Sequence, residues 1–208
     1  MKKYSNYLYL LSFLSIVIPT PGRFVFGFTI CIELILLTVL GTLYNSLTDL
    51  LKIKETKTFL LLMFLISITI VFRQIFVIFQ TEVALVMSLL FYIPPFSLFL
   101  IHLLSKNEDL SLIQRLKTNS IQIFTFSFIA LVFFLLRDIF VFGTFTFYGK
   151  NHLIYEKLIF SLQPTGFFAF IASIPGVFMI FALILVLLKF IKRKFDSYEN
   201  LEAQDVLS

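Results

Sequence analysis

Apolar runs separated by short charged stretches divide the chain into six segments, roughly 7–22, 24–48, 58–80, 83–104, 119–142 and 166–190. About twenty apolar residues are what a helix needs to cross the hydrocarbon of a bilayer, so each run reads as a membrane span. Two of them are irregular. The first is short for a straight crossing and ends in Pro19-Thr20-Pro21-Gly22; the fourth is cut by Pro94-Pro95 within "SLLFYIPPFSLFLIHLL". Each proline removes a backbone donor and crowds the preceding turn. In lipid such breaks persist only where protein or a water-filled cavity covers the freed groups.

The two irregular segments occupy matching places. "SIVIPTPG" opens the first three spans and "FYIPPFSL" the second three. Three is odd, so the halves start from opposite sides of the membrane, as in an inverted repeat whose broken helices meet near the midplane. Two unrelated proline kinks would leave the same marks. The expected fold is an all-α integral membrane protein, with six transmembrane helices in a 3+3 inverted repeat and broken first and fourth helices. The echo of "RQIFV" at 73–77 in "RDIFV" at 137–141 does not fit that register and reads as chance.

Composition agrees with the bilayer as solvent. The chain of 208 residues is 59% hydrophobic and 14% charged, with 29 phenylalanines, too apolar for a soluble surface to hide. Its mean hydropathy is +0.99. Lys and Arg then orient the spans. With the N-terminus inside, the cytoplasmic side holds twelve: Lys2, Lys3, Lys52, Lys54, Lys57, Lys106, Arg115, Lys117, Lys189, Lys192, Arg193 and Lys194. The outer side holds three, Arg23, Lys150 and Lys157, which places both termini in the cytoplasm. The net charge of +5 therefore reflects topology and gives no reason to infer nucleic-acid binding.

Smaller features follow from the same pattern. Lys2 and Lys3 before an apolar run resemble a signal peptide, but no A-x-A-like site follows, so a retained first segment is expected. Residues 105–118 are expected to form a cytoplasmic linker able to lie as a short amphipathic helix, and 143–165 the longest outer loop. Residues 195–208 are expected to be a loose cytoplasmic tail on a single polytopic domain spanning 1–208.

The chemistry-bearing residues are few. Cys31 is the only cysteine, which excludes an intrachain disulfide and any multi-cysteine metal site within the chain, and it reads as a small apolar residue. His102 and His152 are far apart in sequence. Four ionisable residues fall within spans: Glu33, Arg73, Arg137 and Asp138. Such groups are costly in lipid and usually face a cavity or a partner. Glu33 lies about 13 Å deep at 1.5 Å per residue, within reach of Arg73. A structural ion pair with Arg73 and an ion- or proton-binding role are both open to it. The arginines read equally as snorkelling toward the outer headgroups. No nucleophile–base pair, phosphate loop or metal constellation is visible, so the chain is expected to be at most a non-catalytic subunit of a larger enzyme.

Several stretches in order resemble the RnfE/NqrD family, small membrane subunits of the Rnf and Na+-translocating NADH:quinone reductase complexes. They are "LSFLSIVIPT" ending at Thr20, "IPPFSLFL" at 93–100, "LRDIFVFGTFTF" at 136–147 and "IPGVFMIFALILV" from 174. The third keeps Arg137, an acid at 138, Gly143 and Thr144; the last keeps Pro175, Gly176 and Phe178, with a basic tail following. The resemblance runs from about residue 8 to 195 and implies the 3+3 repeat, a bacterial cytoplasmic (inner) membrane, and other membrane subunits of an Rnf/Nqr-type complex as partners. In the family, one cysteine on each broken segment helps ligate an intramembrane iron–sulfur cluster. Here those positions are Leu14 and Leu100, and leucine cannot bind iron, so no cofactor is expected in this chain. The resemblance implies a structural or ion-path role in electron transport. A stand-alone small-molecule transporter or its membrane substrate-binding component, and a membrane assembly factor, are the rival readings.

Overall fold

The computed structural model describes residues 16–51, 56–97, 100, 103–104, 111–150, 152–160, 173, 175–179, 182 and 186. Leu14, His102, residues 105–110, most of the expected sixth span and the 195–208 tail lie outside the described residues. The chain falls into two units, residues 1–163 and 164–208. In the second, residues 175–179 are helical, opened by Ser173, whose carbonyl accepts from Val177 N at 3.1 Å.

The first unit is mostly helical. Its long helices are α1 (Phe24–Leu50), α2 (Lys57–Phe79) and a third, reached after two short ones, over Leu112–Arg137. The third continues through a π-helical turn, Asp138–Phe142, and all three are long and apolar enough to cross a membrane. Their bounds match the second, third and fifth expected spans, except that the last begins at Leu112 rather than 119. The outer half of the expected linker therefore belongs to the helix, because "LIQRLKT" continues the helical run without a breaker.

Helix α1 is the centre of the unit. It packs along the Leu112–Arg137 helix and against α2. It buries a broad face from Val25 to Thr48, leaving Leu43, Leu47 and Leu50 exposed, whereas α2 buries only one stripe, Leu61, Leu65, Thr69 and Phe72. An apolar helix exposed on its other faces needs lipid as its surroundings. Where α1 meets its neighbours its residues are small. Gly27 lies under Phe134, and Gly41 under Leu104 and Leu65. Such residues let helices approach closely where dispersion, rather than the hydrophobic effect, holds them together. The threonines of α1 return their hydroxyls to the helix itself, Thr38 to Leu34 O and Thr42 to Thr38 O, both at 2.7 Å. No hydroxyl of that pair is left facing lipid unbonded.

The proline-cut segment is broken as expected. It runs as α3 (Thr81–Val86), a 3-10 turn at Leu90–Tyr92 and the four-residue α4 (Ile93–Phe96), which packs against both α1 and α2. Pro94 and Pro95 fall in the first turn of α4, where a helix has no use for their missing donors. Ser97 closes the break. Its N–H and its hydroxyl both donate to Pro94 O, at 3.1 and 2.8 Å, and its oxygen accepts from Leu100 N at 3.3 Å.

The all-α expectation needs correction within residues 143–165, the expected outer loop. Residues Thr144–Tyr148 (β1) and Ile154–Leu158 (β2) pair antiparallel, Thr144 opposite Leu158 and Tyr148 opposite Ile154. The Leu112–Arg137 helix, α5 in chain order, ends with its π turn at Gly143, whose φ of 64° is the left-handed cap that glycine adopts without strain. After it, "TFTFY" alternates β-branched and aromatic residues, a strand pattern within a loop otherwise rich in polar groups. Thr144 and Thr146 point inward; Phe145 and Phe147 face the other way and meet Phe24 and Phe28, with ring centroids 5.3 Å (Phe24–Phe145) and 5.5 Å (Phe28–Phe147) apart.

Candidate functional site

The intramembrane charges singled out from the sequence separate into two places. Arg137 and Asp138 belong to a polar knot where α1 begins, α5 ends and the hairpin folds back. Asp138 is fully buried. Its Oδ2 accepts from Phe24 N at 3.1 Å, Thr146 N at 2.9 Å and Thr146 Oγ1 at 2.7 Å, and its Oδ1 from Thr144 Oγ1 at 3.0 Å. Arg23, the N-cap residue of α1, makes no side-chain cap bond. The cap comes instead from Asp138, 114 residues along the chain, whose negative charge also suits the positive end of the helix dipole. Arg137 is buried too, donating to Thr20 O at 3.1 Å beneath Gly22, so it holds the turn before α1 and does not snorkel.

The hairpin is tied down on its other side as well. Glu82 of α3 accepts from Ile154 N at 2.6 Å, and Gln80 Nε2 donates to Gly149 O at 3.2 Å. His152 Nδ1 meets Phe79 O at 3.0 Å. Arg23 pairs with Glu156 and lies 5.8 Å from the Phe142 ring centroid. Tyr148 reaches from β1 to Thr29 of α1, oxygen to oxygen at 2.8 Å; burial pushes its phenol above the ordinary value, with the Thr29 bond opposing, so it is neutral around pH 7. At the opposite end of the unit Asp49 joins all three long helices, 2.6 Å from both Lys57 Nζ and Arg115 Nη1. These ties make the polar knot and the Asp49 junction structural.

Glu33 is different. It is fully buried on α1, and neither carboxylate oxygen has a hydrogen-bond partner. Thr69 of α2 lies against the carboxyl, yet its own buried hydroxyl also lacks a partner of normal geometry. Arg73 follows one helical turn after Thr69 and is half-buried, its Nε unpartnered. The Glu33–Arg73 ion pair within reach of the sequence reading is not formed among the described residues. On α2 it is Thr69, a turn earlier than Arg73, that comes opposite Glu33. Cys31, two residues before Glu33, turns instead to α5 and lies 3.7 Å from Ser127 O.

Leu100, at one of the expected cluster-ligand positions, is fully buried among Leu37, Leu61, Leu65 and Leu104. Hydrocarbon encloses it on the sides described, and no thiolate is within this cluster to bind iron. The residues present do not fit an iron–sulfur cluster at this position. Among the described residues no group of three or more His, Cys, Asp and Glu is placed to hold a metal ion. No family model, curated protein or solved structure matches this chain.

The residues missed in the sequence are Thr144 and Thr146, Thr29 with Tyr148, and Thr69. The alternation "TFTFY" two residues after an acid-bearing helix end was the available signal for the first pair. Thr69, in an apolar run with no charge beside it, carried none.

Proposed function

We propose that the chain is a multi-pass subunit of an Rnf/Nqr-type, redox-driven ion-translocating complex in a bacterial inner membrane. On this reading it has six spans in a 3+3 inverted repeat, both termini in the cytoplasm, and no cluster of its own. The observation that supports the reading best is the break at Ile93–Ser97, packed between α1 and α2 where an inverted repeat brings its interrupted helix inward. Leu100 within an aliphatic cluster supports a scaffold or ion-path role in place of electron transfer. A small-molecule transporter is the second reading, favoured by the unpartnered Glu33. Affinity purification from native membranes with identification of bound subunits tests both. Flavin-bearing Rnf/Nqr-like partners are expected; an ATPase pair in their place would move the chain to the second reading.

Two further outcomes follow from the same reading. Reporter fusions after residues 55, 110 and 198 are expected on the cytoplasmic side, and fusions near 81 and 152 outside, since Lys and Arg cluster on the first set of loops. One inverted interior loop would break the six-span arrangement. Elemental analysis of the purified chain is expected to find no stoichiometric iron; about one iron per chain that survives Cys31→Ser would mean ligands other than the family positions.

A further inference from the structure

Orphaned polar atoms gather between α1 and α2: both oxygens of Glu33, the hydroxyl of Thr69 and Nε of Arg73. Glu33 and Thr69 are fully buried. An ionised carboxylate without donors is untenable in such surroundings, so something must cancel its charge. Arg73 does not form that pair. A metal cation gathers about six oxygens when it is hard, whereas the side chains here offer the two oxygens of Glu33 and the one of Thr69. A proton needs one oxygen to hold it and one acceptor to face.

A second pair of hydroxyls lies one helical turn away, not hydrogen-bonded to the carboxyl. Thr29 lies one turn from Glu33 on the same face of α1; its hydroxyl donates to Val25 O at 2.8 Å and lies 2.8 Å from the hydroxyl of the half-buried Tyr148 of the hairpin. We propose that Glu33 is a reversible proton-binding site, with Thr69 as the hydrogen-bond partner of the loaded carboxyl. One proton from water converts the carboxylate to the acid and is returned to water on release. The titratable and charged groups on the packed elements are Lys57 and Arg73 on α2, Glu82 and Tyr92 in the proline-cut segment, and Tyr148 on β1. Cys31, Tyr44 and Asp49 share α1 with Glu33, while α5 carries none between Asn119 and Leu136.

The inference is independent of membership in an Rnf/Nqr-type complex, because its test needs only the full chain in liposomes. Dicyclohexylcarbodiimide adds the O–H of a protonated carboxyl in an apolar site, and peptide mass spectrometry locates the adduct. Labelling is expected at Glu33, slowing as pH rises, absent from Glu33→Gln and unchanged when sodium chloride replaces choline chloride. Thr69→Val is expected to move the midpoint of that pH profile; an unmoved midpoint overturns the part given to Thr69. Infrared pH-difference spectra supply a second readout, a protonated-carboxyl band that Glu33→Gln abolishes. Protection by sodium at constant pH would overturn the proposal in favour of a metal-cation site. No adduct at any pH together with no such band would overturn it as well.

Discussion

Asp138→Ala is expected to destabilise the protein by about 3–5 kcal/mol, lowering the thermal midpoint in detergent and opening the hairpin to proteolysis. The carboxylate takes four hydrogen bonds from two elements, α1 and β1, and alanine would leave Phe24 N, Thr146 N and two threonine hydroxyls without it. Two of those donors are backbone amides, Thr146 N at a buried position and Phe24 N at a half-buried one, and neither can turn to find another acceptor. Asp138→Asn separates charge from geometry. Its amide oxygen, placed where Oδ2 is, keeps the three bonds made there, and its NH2 can donate to Thr144, whose hydroxyl rotates to accept. A loss of only about 1–2 kcal/mol is expected, the share owed to the charge at the helix N-terminus. Equal midpoints for the wild type and Asp138→Ala would show that the knot does not hold the hairpin.

Gly27→Ala is the second large effect, although alanine favours a helix over glycine by about 1 kcal/mol. A Cβ at position 27 would lie 2.8 Å from Phe134 Cβ and closer still to two of its ring carbons. Turning the ring leaves the Cβ contact in place, so α1 and α5 must move apart. Overpacking of this kind costs about 1–3 kcal/mol net of any local gain. Phe134→Ala alone is expected to cost about 3–5 kcal/mol, since the ring is fully buried and its removal leaves a cavity. In the double variant the two costs are expected to be markedly less than additive, because the methyl group enters part of the space the ring vacates. Additive losses, measured by thermal unfolding of the four proteins, would mean that the helices do not touch through this pair.

The membrane character, the bounds of α1 and α2 and the break at Pro94-Pro95 were legible in the chain, because each depends on local properties. Apolar length determines whether a segment lies in lipid, and a missing backbone donor interrupts a helix wherever it stands. Two adjacent prolines therefore marked the start of α4 without knowledge of its neighbours. The hairpin was only half legible: "TFTFY" carries a strand pattern, but its partner "IYEKL" has no clear alternation, and pairing depends on Glu82 and Gln80 holding it from another element. The roles of the buried charges were not legible at all. Asp138 and Glu33 are both acids in apolar surroundings, alike in any reading of the chain. Folding gives one of them four donors and the other none, because the donors to Asp138 come from residues 114 positions before it and up to 8 after it. Helical rotation likewise set Thr69 against Glu33 and left Arg73 one turn away, a difference of a few ångströms that depth in the membrane could not resolve. Depth follows from residue count, whereas a side chain's partner depends on which faces of two helices meet, and only their packing decides that.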